Sequence, residues 1–357
     1  TFTFTTRTSA TCSPSVATAV EVVVSAPPTP AISGSDKITC FNTPIALTGN
    51  TPTSGTGTWT VTSGQSASDY EFSAPTSPNS TFTGKVAGVF TVTWTINTGS
   101  GSCSSASSSR VTVQPELLGN QITTTNATLC SGNRPATIAI SAPTGGAGAG
   151  SYAYQWQTST NGTTYTNVAT TAAYQPPTLT NTGNTTIVNY YRRLVTSGNC
   201  AVSTSNVVTF TVDPALGNNT VTAANTNICF SGATGIITGS AVSGGTGTYT
   251  YQWELSTDGG TTFNSILNAT EVNYDPGVLT NAGNTILTYR YRRIITSGAS
   301  CTNTSNVATI TVNPRPTLTS SNTATTCSNN LFTYTPISLV TGTTFTWTRA
   351  LGAGINN

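Results

Sequence analysis

The sequence predicts an all-β protein, with tandem immunoglobulin-like β-sandwich domains arranged end to end. Three observations predict it. Segments recur with a period near 100 residues: Trp156 and Trp253 are 97 apart, Cys130 and Cys229 are 99 apart, and Cys200 and Cys301 are 101 apart. That period is the size of a whole domain and far too long for a solenoid turn or a propeller blade. Each copy consists of short Thr-, Val-, Tyr- and Ile-rich stretches that alternate with period two between Gly, Asn, Ser and Pro turns, the pattern of half-buried strands. A tryptophan stands near the middle of each copy, at Trp59, Trp156 and Trp253, as the core anchor of a sandwich would.

Taken in order, residues 1–29 read as the C-terminal part of a preceding unit. Residues 30–115 form a first full unit, 116–214 a second and 215–314 a third, and 315–357 the N-terminal part of a following one. The second and third units match most closely: AYQWQTSTNGTTYTNV answers TYQWELSTDGGTTFNSI, and NYYRRLVTSGNC answers YRYRRIITSGASC. Asn161-Gly162 and Asp258-Gly259 lie between strand-like runs and predict hairpin turns, because such dipeptides accept positive φ. Tyr152, Tyr154 and Trp156 share a strand face, as do Tyr249, Tyr251 and Trp253; core packing is the first reading of these aromatics and a sugar platform the second. Each unit ends on a strand that runs into proline, at Pro115, Pro214 and Pro314, which ends the sheet and argues for short, semi-rigid junctions.

Eight cysteines suit an oxidising compartment. Cys40, Cys130 and Cys229 open the three units, and Cys103, Cys200 and Cys301 precede their last strands. The repeat therefore predicts the intra-unit bridges 40–103, 130–200 and 229–301, each at one pole of its sandwich. Each would be worth on the order of 4 kcal/mol in the chain-entropy model. Cys12 matches a closing position and Cys327 an opening one, so their partners are expected outside this window, in a longer array.

Composition closes off most chemistry. Charged residues make up 6% of the chain against roughly 25% in ordinary domains, and there is no histidine, which removes His-based triads and imidazole metal sites. A net charge of +2 offers no footprint for nucleic acid or an anionic membrane, and no run of apolar residues is long enough for a spanning helix. Asp69 and Glu71 are the one pair of acids two residues apart, better read as a solvated strand than as a glycosidase or calcium pair. No cofactor and no enzyme activity are expected. Arg192 and Arg193 fall on opposite strand faces, so one is expected to reach a rim or to stack on Tyr190 or Tyr191.

The stretches YQWQTSTNGTTYTNV, YYRRLVTSGNC and SNVVTFTVDP resemble the Ig-like and PKD-like repeats of very large Bacteroidota surface proteins. The segment from Cys327 onward is similar to the start of the PKD-like repeat in the same proteins. Such arrays are typical of SprB-type gliding-motility adhesins exported by type IX secretion. The resemblance implies an extracellular stalk segment whose partners are the rest of the same polypeptide, the type IX secretion and gliding machinery, and surface polysaccharide. Glycan-binding accessory modules are the alternative.

Overall fold

The computed structural model describes residues 2–4, 18–20, 24–99, 103–125, 128–298, 301–327 and 329–348. Three successive β-sandwich units occupy most of this, and the first is built on a sheet of four strands. These are β1 (Lys37–Cys40), β2 (Thr56–Val61), β3 (Gly88–Asn97) and β4 (Ser104–Gln114), in spatial order β1-β4-β3-β2. A second layer pairs Thr81–Gly84 with both Ile45–Ala46 and Tyr70–Phe72. The second unit repeats the main sheet with β5 (Thr128–Cys130), β6 (Ala153–Ser159), β7 (Ile187–Thr196) and β8 (Val208–Asp213). The third does so with β9 (Asn227–Ile228), β10 (Thr250–Ser256), β11 (Leu287–Ser297) and β12 (Ala308–Val312).

The period-two pattern becomes burial directly. Strand β8 alternates buried Val208, Phe210 and Val212 with partly exposed Thr209 and Thr211, the consequence of successive side chains pointing to opposite faces. Each unit has its own apolar core: Trp59, Trp94, Phe82 and Phe90 in the first, Trp156, Tyr191 and Phe210 in the second, Trp253, Tyr291 and Ile310 in the third. Trp59, Trp156 and Trp253 are buried, and each indole N–H donates to a backbone carbonyl, of Ser77, Thr171 and Glu271 respectively.

The first strand of every unit runs parallel to the last, whereas the other pairings of the main sheet are antiparallel. Cys40 therefore lies opposite Gln114, and Cys130 opposite Asp213, at the end of the unit where the chain leaves. The cysteine before the last strand lies at the other end, where the chain enters. Strand β4 has 11 residues, so these two poles are separated by roughly 35 Å at 3.3 Å per residue.

Beyond the third unit, Leu318 and Ser338 form an isolated bridge and Thr319 donates to the Ile337 carbonyl. Apolar side chains there face solvent, with Leu331 93% and Trp347 82% exposed.

Candidate functional site

The junctions between units bring together the residues with the most distinctive chemistry. The disulfides observed are Cys40–Cys200 and Cys130–Cys301, with Cα–Cα distances of 4.9 and 5.2 Å. The predicted bridges 40–103, 130–200 and 229–301 are thus corrected: both bonds join the opening cysteine of one unit to the closing cysteine of the next. The pairing of the first strand with the end of the last is the reason. It carries the two cysteines of one unit to opposite poles, far beyond the roughly 7 Å Cα separation that a bridge tolerates. Cys103 and Cys229 are consequently free thiols here, half-buried and exposed respectively. Cys327 is also free and exposed, and Cys12 lies outside the described residues.

Around the first staple, Asn199 donates its backbone N–H to Gln114 Oε1 at 3.0 Å and its side-chain amide to the Ile38 carbonyl at 2.7 Å. Both sulfurs lie against the Pro115 carbonyl oxygen, at 3.6 and 3.4 Å. Gly198 takes φ 56°, and a Cβ there would stand 2.4 Å from Gln114 Oε1. The Ser-Gly-x-Cys turn thus needs its glycine both for backbone conformation and for approach to the preceding unit.

The linkers are pinned as well. Pro115 accepts the N–H of Gly146 at 3.0 Å, and Pro214 that of Gly245 at 3.0 Å. Leu118 bridges Thr144, and Gly217 bridges Ser243. Proline at each junction therefore does more than end a sheet, because its carbonyl joins the linker to the first turn of the following unit. A disulfide and a hydrogen-bonded linker on one junction leave little freedom for bending.

Inside the second and third units, Arg193 and Arg293 are 0% exposed, a burial that sequence reasoning missed. Arg193 donates from Nε to Asn120 Oδ1 at 2.9 Å, and from its terminal nitrogens to the Ala172 and Ser141 carbonyls at 3.2 and 2.9 Å. Arg293 repeats the cage with Asn219, Val272 and Ser240. Asn120 in turn donates to the Arg193 and Ser203 carbonyls, so one amide ties three segments together. Burial pulls both guanidinium groups below their ordinary pKa, and the neighbouring Tyr154 and Tyr251 oppose the shift. The cage supplies carbonyl oxygens in place of water, which allows a cation to remain buried. The expected stacking on Tyr190 or Tyr191 is replaced by other partners. Arg192 lies over the Tyr165 ring at 3.8 Å and donates to Gln157, while Arg193 lies 5.4 Å from Tyr154 and 5.8 Å from Trp156. The paired glycine-rich turns and the two RR dipeptides were the available signals, but neither reveals which arginine faces inward.

The acids do not assemble a reaction centre. Asp69 accepts the Ser66 N–H, and Glu71 pairs with Lys85 at 2.9 Å. Asp258 is held well below the usual carboxylate range, first by the Thr262 hydroxyl and backbone N–H and then by Ser256 and Thr261; it ties its turn. Among the described residues no group of three or more His, Cys, Asp or Glu could hold a metal ion.

The family described as a domain of unknown function, DUF8696, matches residues 119–214 and again 218–314, together more than half of the chain. The chain belongs to the DUF8696 family. In DUF8696 terms the buried arginine cages and the Cys130–Cys301 staple all fall within the two matched copies or join them. No curated protein matches the chain. Among solved structures, titin domains I67–I69 (an E-to-A variant) align with 11% identity over 81% of this chain and 99% of theirs, with a TM-score of 0.41. The three N-terminal domains of the Hoc outer capsid protein of bacteriophage RB49 align with 14% identity over 78% and 96%, with a TM-score of 0.34. Mouse cadherin-23 EC22–24 aligns with 13% identity over 81% and 99%, with a TM-score of 0.29. The DUF8696 copies are thus Ig-like sandwiches in tandem, and disulfides cross the junctions of the string.

Proposed function

We propose that this chain is a stalk segment of a long secreted bacterial surface adhesin filament, serving gliding motility and surface attachment. The observation that carries the proposal is the pair of disulfides between units, because a bond across a junction constrains how domains are strung rather than how any one domain reacts. The pinned Pro115 and Pro214 linkers support it, as does the resemblance of the YQW, YRR and SNV stretches to Bacteroidota surface repeats. Disulfides also favour an extracellular, cell-surface location. The rest of the same polypeptide and the type IX secretion and gliding machinery are the proposed partners.

The paired arginines of the second and third main sheets are committed to internal contacts, with Arg193 and Arg293 buried. Arg192 stacks on Tyr165, and Arg292 stacks on Phe263 while pairing with Glu254 at 2.7 Å. In-frame deletion of residues 30–314 from the natural polypeptide tests the stalk reading. A shorter filament that still reaches the surface and still attaches is the expected outcome. Normal display with complete loss of attachment, together with glycan binding by the isolated chain, would favour accessory glycan-binding modules instead.

A further inference from the structure

The two observed staples follow one rule: the opening cysteine at the C-terminal pole of a unit joins the closing cysteine at the N-terminal pole of the next. Applied to the remaining cysteines, the rule leaves Cys229 at the C-terminal pole of the third unit and Cys103 at the N-terminal pole of the first. We propose that these are the two growing points of a disulfide ladder that continues into neighbouring repeats of the same polypeptide. Cys229 takes the closing cysteine of the following unit, and Cys103 the opening cysteine of the preceding one.

The seat around Cys229 repeats the one that is filled at Cys40. Each cysteine is followed by phenylalanine, Phe41 or Phe230, and lies beside the residue before the junction proline, Gln114-Pro115 or Asn313-Pro314. Cys40 is 5% exposed and Cys301 0% within their bonds, whereas Cys229 is exposed. At the first junction the cleft beside Cys40 and Phe41 has Cys200 to Ser203 of the next unit as one wall. The cleft beside Phe230 is lined by Asn281, Asn284, Arg315, Leu339 and Val340, with no cysteine among its walls. A following unit is indicated independently by the solvent-facing Leu331, Phe332 and Trp347 between Cys327 and residue 348, apolar surface that the remaining strands of such a unit would cover.

Spacing identifies the occupants. The bonded cysteines are 160 and 171 residues apart, so the partner of Cys229 falls at roughly residue 390–400 and that of Cys103 upstream of residue 1. Neither can be Cys327, which occupies an opening position, and Cys103 and Cys229 belong to opposite ends of the three-unit string. Each closure is a thiol–disulfide exchange with a disulfide oxidant, either an oxidised dithiol oxidoreductase or glutathione disulfide. One protein thiolate attacks the oxidant's S–S bond and releases a thiolate. The second protein thiolate then displaces the other. Two protein thiols lose two protons and two electrons, and the oxidant leaves as two thiols.

The test is peptide mapping of the full natural polypeptide, alkylated without reductant. The expected result is a Cys229 peptide linked to a downstream peptide with cysteine in a Ser-Gly turn, a Cys103 peptide linked to one upstream, and neither alkylated until reductant is added. In the Cys229→Ser variant, one additional thiol should become alkylatable, at that downstream cysteine. Alkylation of Cys229 in the untreated polypeptide, a Cys229–Cys327 peptide, or a Cys229–Cys103 link between two copies would overturn the proposal. Because the readout is connectivity, its failure leaves the adhesin reading to be judged by the deletion experiment.

Discussion

The first unit and its two successors place different chemistry in the same slot. Across the main sheet, Trp59 faces Trp94 in the first unit, whereas Trp156 faces Arg193 and Trp253 faces Arg293. All six side chains are buried. Trp94 fills its slot with an indole whose centroid lies 5.1 Å from that of Trp59, and it has a single N–H to satisfy, which the Asn50 carbonyl accepts at 3.2 Å. Arginine in that slot demands acceptors for a fork of donors, and the later units supply them with an asparagine side chain and two loop carbonyls. Two residues earlier, Val92 stands where Tyr191 and Tyr291 stand. The position needs volume and a covered face; its polarity is decided by whether the loops can present acceptors.

This comparison can be broken at several points. The largest expected effect is Trp156→Ala, which should destabilise the second unit by about 3–5 kcal/mol and leave the third unfolding as before. Chemical denaturation followed by hydrogen exchange of the second unit's own peptides checks it, since the variant leaves that unit without a tryptophan, and a loss below about 1 kcal/mol would place the indole outside the core. Cys40→Ser should cost about 2–4 kcal/mol, spread over the first and second units together because both share the staple; a loss in the first unit alone would contradict the cross-unit bond. Asn120→Ala removes an acceptor from a buried cation and two donors from buried carbonyls, and about 2–3 kcal/mol is expected. A double-mutant cycle of Asn120 with Arg193 should then show coupling of about 1–3 kcal/mol. The same cycle on Asn50 and Trp94 should give almost none, since Trp94 uses the backbone of Asn50.

The smallest effect expected is on pH dependence. Burial raises the phenol pKa values of Tyr191 and Tyr291 above the usual 10. The folded state then holds these protons more tightly than the unfolded chain, so the related stability is complete below pH 10. It falls as pH rises from 10 towards the raised values. The second and third units should weaken there, and Tyr291→Phe should remove the contribution of Tyr291 in the third. Unfolding curves at pH 9 and pH 11 compare the units directly.

Much of this architecture was legible because it is local or periodic. Alternation along Val208, Phe210 and Val212 states which side chains point inward, and a 97-residue interval between tryptophans counts the units. The Asp258-Gly259 turn is likewise written in residues that bond to their own neighbours. The inward arginine was not legible, because in Arg192-Arg193 alternation assigns opposite faces without saying which face is the core, and the cage that accepts Arg193 comes from residues 120, 141 and 172.

The sequence by itself determined the all-β class, the repeat, the place of each cysteine within its unit and the absence of histidine chemistry. Only the tertiary structure decided how the cysteines pair. Equivalent positions in a repeat are compatible with bonding inside a unit or between units, and strand pairing chooses between them. The first strand pairs in parallel with only the last four residues of the long final strand, so Cys40 stands opposite Gln114 at the far pole from Cys103, beside Cys200 of the next unit. Strand pairing is set by long-range hydrogen bonding across the sheet, and neither composition nor spacing along the chain records it.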